Sequence, residues 1–112
     1  MIKHYTLLLN GTVQRLSQVL ASGANNAQPA ASEDIPFRQL RVQAVPANAA
    51  VVYVGTTDQV SATNHGASLD PTQASAVDSL DLGPFDAGPL KLSDLYVLGT
   101  NNERVAILGV PF

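Results

Sequence analysis

The sequence predicts an all-β fold, an antiparallel β-sandwich of jelly-roll-like kind. Three observations predict it. Seven to nine short apolar runs are punctuated by Gly, Asn and Pro at a spacing of roughly 8–12 residues. No amphipathic stretch of helical length separates them, as a parallel α/β sheet would require. Hydrophobic residues make up 46% of the 112 and charged residues only 13%, which places the chain outside the disordered class. The length suits one domain over 1–112.

Residues 2–9, IKHYTLLL, form the first expected strand. Asn10-Gly11 follows, and this dipeptide between apolar runs is a strong hairpin signal, because a type I′ turn takes two positive φ angles. TVQRLSQVL is then the return arm of a hairpin over 2–20, with Val13, Arg15, Ser17 and Val19 on one face. Residues 21–36 are Ala, Asn, Ser, Gly and Pro without periodicity, and Glu33 and Asp34 are their only charges. So long a connection is either a flexible surface loop or an arm that orders against a neighbouring subunit.

In FRQLRVQAV (37–45), Leu40, Val42 and Ala44 alternate with Gln39, Arg41 and Gln43, the pattern of a half-buried strand. AAVVYVG (49–55) is almost unbroken apolar and reads as a central strand covered on both faces. A short strand around Val60 and a turn at Asn64-His65-Gly66 come next. Asp70-Pro71-Thr72-Gln73 fits one helical turn or an extended segment. LDLGPFDAGPL (80–90) gives a short strand and a loop. LKLSDLYVL and ERVAILGV, joined at Gly99–Asn102, predict a second hairpin over 90–110. The expected core is Leu8, Leu16, Leu40, Val42, Val52, Val54, Leu92, Tyr96, Val105 and Ile107.

Composition narrows the function classes. Six basic residues against nine acidic give a net charge of −3, and the basic ones are scattered, so no nucleic-acid partner is expected. No Cys is present, so there is no disulfide, thiolate metal site or Cys nucleophile. No apolar run approaches the roughly 18 residues of a membrane span, and no membrane partner is expected. The N-terminal apolar run is too short for a signal peptide.

His4 and His65 are the only histidines and read as structural, because a zinc site needs three or four ligands. Asp78, Asp81 and Asp86 cluster in a loop-rich stretch. Calcium would suit such carboxylates, but their spacing is not that of an EF-hand, and turn chemistry explains them as well. Asp94 is expected to meet Arg104 across the second hairpin. No G-x-S-x-G elbow and no Gly-rich phosphate loop is present. Asn10-Gly11-Thr12 matches a glycosylation sequon but reads better as a turn. The sparse aromatics, Tyr5, Tyr53, Tyr96, Phe37, Phe85 and Phe112, are expected in the core rather than as a sugar-stacking platform. The residues thus predict no catalytic, cofactor-binding or metal site, and no enzyme.

Four stretches carry a resemblance: VQRLS (13–17), FRQLRVQAVPANAAVVYVG (37–55), VSATNHGASLDP (60–71) and LKLSDLYVLGTNNERVAIL (90–108). Their order of strands and turns resembles small β-rich virion structural proteins of tailed bacteriophages, and in size the capsid decoration (cement) class. Ala49-Ala50 departs from the glycine-bearing turn expected after Asn48. The resemblance implies a non-enzymatic protein on the outer surface of the capsid. Its implied partners are the major capsid protein and further copies of itself, as a dimer or trimer. A carbohydrate- or receptor-binding module of a phage tail or head fibre is the competing expectation.

Overall fold

The computed structural model describes residues 2–22, 36–45, 49–71, 79–85 and 90–112. Among the described residues eight strands follow in order: β1 Lys3–Leu8, β2 Gln14–Arg15, β3 Phe37–Ala44, β4 Val52–Gly55, β5 Ala67–Leu69, β6 Ser79–Leu82, β7 Tyr96–Leu98 and β8 Arg104–Pro111. A helix, α1, spans Leu16–Ser22, and a 3-10 turn spans Leu92–Asp94. The strands form two antiparallel four-stranded sheets, ordered β1-β8-β3-β6 and β2-β7-β4-β5. The chain is an all-β sandwich.

Its pairing is nested. The first strand pairs with the last, β2 with β7, β3 with β6 and β4 with β5. Two further ladders, β3 with β8 and β4 with β7, complete the sheets. This is the winding of a jelly roll, a long antiparallel ribbon of strand pairs folded over on itself.

Both expected hairpins are corrected by this winding. The turn at Asn10-Gly11 exists: Gly11 has φ +84°, and Asn10 Oδ1 accepts the Thr12 N–H at 2.9 Å and the Thr12 hydroxyl at 2.6 Å. It carries the chain from one sheet to the other instead of reversing it within one. The same holds at 99–102, where β7 and β8 belong to different sheets and Asn102 takes φ +70°. The second arm of the first expected hairpin is mostly α1. Leu16, Val19 and Leu20 lie at helical spacing, and all three are buried. The Gln18 side chain reaches back to the Arg15 N–H at 3.1 Å, which fixes where the helix starts. The helix packs on β1 and on the 3-10 turn.

Eight of the ten expected core residues are buried; Leu8 and Tyr96 are corrected. In β1 the inward set is Tyr5 and Leu7, continued by Leu9, so the face is one residue out of step with the expectation. Tyr96 is displaced because the 3-10 turn at Leu92–Asp94 resets the alternation, leaving Leu95 and Val97 inward. β3 keeps the expected alternation and β4 lies centrally, as read from its apolar run, with Tyr53 half-buried on its outward side. Val60 is buried but sits outside any named strand, beside a Ser61–Asn64 bridge. Phe85 is half-buried. Apart from its ends, the segment 21–36 lies outside the described residues, as do Thr72, Gln73, Asp78 and Asp86.

One side chain joins the sheets at their turns. Glu103 follows the 99–102 turn, and its carboxylate accepts the backbone N–H groups of Ala49 and Ala50, the latter at 3.2 Å. Glu103→Ala removes both acceptors and is expected to cost about 1–2 kcal/mol, readable as a lower urea midpoint at unchanged slope.

Candidate interaction surface

The two sheets present different outer faces. On the second sheet, Tyr53 and Tyr96 are half-buried and each already has a neighbour over its ring. His65 packs on Tyr53 with ring centroids 4.9 Å apart, and its Nδ1 lies 3.1 Å from the Ser61 carbonyl. The Arg15 guanidinium sits 5.1 Å from the Tyr96 ring centre and donates from Nε to the phenol oxygen at 3.1 Å. Register dictates the second contact, since Arg15 and Tyr96 are directly paired across β2 and β7.

On the first sheet the outer face carries a polar row and an apolar stripe. Pairing places His4, Leu108, Arg41 and Asp81 side by side across β1, β8, β3 and β6. Arg41 Nε donates to Asp81 Oδ1 at 2.7 Å. That hydrogen bond, aided by charge attraction, raises the Arg41 pKa above its ordinary value. Both side chains are about half exposed, so the pair adds little stability and offsets only the charges of its own two members.

β8 supplies the stripe. With Val105, Ile107 and Gly109 facing inward, Ala106, Leu108 and Val110 face outward along the strand. Ile2, Leu108 and Phe112 are the exposed large hydrophobic residues among those described, at 66%, 47% and 50% exposure. All three belong to this region. Ile2, Leu108 and Val110 line one shallow depression with Gln39, Arg41 and Asp81, and a second, sharing Leu108 and Arg41, continues past His4 and Thr6. Phe112 lies beneath the Arg38 guanidinium, 4.8 Å from the ring centre. A bulge in β3 between Phe37 and Gln39 puts Arg38 and Gln39 both outward, while Phe37 and Leu40 point into the core.

Single exposed apolar side chains are ordinary; their gathering on one sheet face makes this face the candidate interaction surface. Phe112, expected in the core, is instead half exposed, and neither Ile2 nor Leu108 was among the expected functional residues. The signal was alternation in 104–110, whose outward set holds Leu108 and Val110 instead of polar residues.

The other residues singled out from sequence come to rest apart. His4 is on the first sheet and His65 beside the second. Asp81 pairs with Arg41, while Asp78 and Asp86 lie outside the described residues. Asp94 does not bridge the second hairpin to Arg104: its Oδ2 accepts the Lys91 N–H at 2.9 Å and closes the 3-10 turn. Among the described residues no group of three His, Asp or Glu is placed to hold a metal ion, and no helix is long and apolar enough to cross a membrane. No family model, curated protein or solved structure matches this chain, so a reading of its function rests on the surface its own residues build.

Proposed function

We propose that this chain is a bacteriophage virion structural protein, a capsid decoration (cement) protein that binds the outer shell and stabilises it. Its partners in this reading are the major capsid protein and further copies of itself, and its place is the outer surface of the capsid. The observation that carries the proposal is the outer face of the first sheet, where an apolar stripe with a polar margin has the anatomy of a protein contact. A jelly-roll sandwich suits the role as a rigid body with broad sheet faces, and the same architecture recurs in viral capsid domains. Fold likeness alone assigns no function, so the weight falls on the surface and on the sequence resemblance.

The test is reconstitution. Shells of the encoding phage, assembled without this protein, are mixed with the purified chain and sedimented. Saturable co-sedimentation and a higher disruption temperature of the decorated shell are the expected results. Absence of binding to shells, or binding to cell-surface glycan instead, overturns the cement reading.

A further inference from the structure

We propose that the outer face of the second sheet binds a neutral saccharide, held on Tyr53 and by the polar turns beside it. The two outer faces of a sandwich point in opposite directions. The site is therefore separate from the first-sheet surface assigned to the shell, and one molecule has room for both contacts.

Two open depressions flank Tyr53. The first, about 350 Å³ in volume, has an apolar floor of Val51, Tyr53 and Leu98 and a rim of Thr100 and Asn101. Strand pairing builds that floor, because Tyr53 stands directly beside Leu98 across β4 and β7. The second, about 270 Å³, is lined by Thr56, Thr57, Asn64 and His65. His65 packs on Tyr53 and so joins the two. Both volumes lie near the lower end for small-molecule sites. The rim is already in place. The backbone N and the Cβ of Asn101 lie 3.4 Å from where a Cβ on Gly11 would stand, and the Asn102 N–H donates to the Leu9 carbonyl at 2.9 Å. The two turns brace each other, which lowers the ordering cost of binding.

Chemistry selects the ligand. Among the described residues no Lys, Arg, Asp or Glu lines either depression. A phosphate or carboxylate would find no opposite charge there. A wholly apolar ligand would leave the amide and hydroxyl groups of the rim without partners. An extended peptide pairs its backbone with a strand edge, whereas Tyr53 stands on a sheet face, in a strand already held between β5 and β7. A neutral sugar ring has the matching combination. Its C–H groups lie against the electron-rich face of an aromatic ring, and its hydroxyls both donate and accept. Asn101 offers two donors and an acceptor, and the Thr100 hydroxyl offers both roles. Among the described residues neither side chain is taken up by a hydrogen bond within the chain. Two joined depressions fit a short oligosaccharide better than a single ring.

The experiment titrates the full chain with neutral trisaccharides of glucose, galactose, mannose and N-acetylglucosamine, followed by proton–nitrogen NMR. The expected result is saturable shifts of the Tyr53, Leu98, Thr100 and Asn101 amides with one of these sugars, at a Kd of about 1 mM or tighter. Asn101→Ala, at an exposed turn position, keeps the fold and is expected to weaken binding about 5-fold. Tyr53→Ala is expected to weaken it about 10-fold, with the fold verified by thermal melt. Where that variant does not fold, the test rests on Asn101→Ala and Thr100→Ala. Leu108→Asp, on the first sheet, is expected to leave sugar binding unchanged.

No saturable shift with any of the four sugars overturns the inference, as do shifts that map to the first sheet. Binding that the folded variants leave unchanged also overturns it. Inorganic phosphate and a neutral tripeptide are the comparison probes, and equal affinity for either overturns the saccharide assignment. A chain that binds sugar but not shells overturns the cement reading and leaves this one standing. A chain that binds shells but none of the sugars does the reverse.

Discussion

Val52→Asp is expected to leave the chain unfolded. Val52 is fully buried in β4, the strand held between β5 and β7 in the second sheet. Its cross-strand partner is Leu69, itself buried, and one of its methyl groups lies 3.5 Å from where a Cβ on Gly99 would stand. The buried cluster that holds Val52 is made of hydrophobic side chains among the described residues. Burying an uncompensated charge costs several kcal/mol, and protonating it first still leaves a polar group without partners. A domain of this size has about 5–15 kcal/mol of stability in all. Loss of dispersed amide signals in a proton–nitrogen NMR spectrum would report the collapse. A soluble, monodisperse variant with an unchanged melting temperature would contradict the burial of this residue.

The second large effect is expected at Gly109, in the middle of β8. A methyl group there would stand 2.5 Å and 2.6 Å from two carbons of the Phe37 ring and 3.2 Å from Leu40 Cδ1. Phe37 and Leu40 are both buried, so neither has open space to move into. Glycine is otherwise a poor strand residue, and its place here is explained by the ring that lies over it. Gly109→Ala is expected to destabilise the domain by about 2–3 kcal/mol through overpacking. The melting temperature should fall by roughly 8–20 °C. Phe37→Leu removes the ring and is destabilising by itself. In the double variant the two costs should sum to less than their separate values, the signature of residues that share one space. Strict additivity would show that ring and glycine do not compete.

Much of the fold was legible in the sequence because short-range physics decides it. Leu40, Val42 and Ala44 alternate because β3 has one buried face, and that alternation survives as far as the bulge at Arg38. Asn10-Gly11 announced a turn because positive φ is a local requirement. Which strand pairs with which is a long-range matter, and a turn signal does not say whether the chain stays in its sheet. Both hairpin expectations failed on that point. The stretch from Leu16 to Leu20 was read with a period of two, although Leu16, Val19 and Leu20 obey the helical period. Leu8 and Tyr96 were lost to phase, one by a single-residue offset and the other by a 3-10 turn. The interaction surface was the least legible part. Ile2 and Leu108 stand at opposite ends of the sequence, and only the pairing of β1 with β8 brings them onto one face.

The nested winding also constrains how the protein is made. β8 is the last of the eight strands to leave the ribosome, yet it is slotted between β1 and β3. Until it arrives, β1 lacks its one partner strand, and Tyr5, Leu7 and Leu9 have no completed sheet to belong to. Translation can therefore finish the second sheet before it can assemble the first. A nascent chain halted before Arg104 is not a smaller domain but an unfinished one, with strand edges open to any neighbour. Contacts spanning so much of the sequence also make for slow folding. The first sheet is completed only once β8 is free of the ribosome, and until then its unpaired edges favour association between copies.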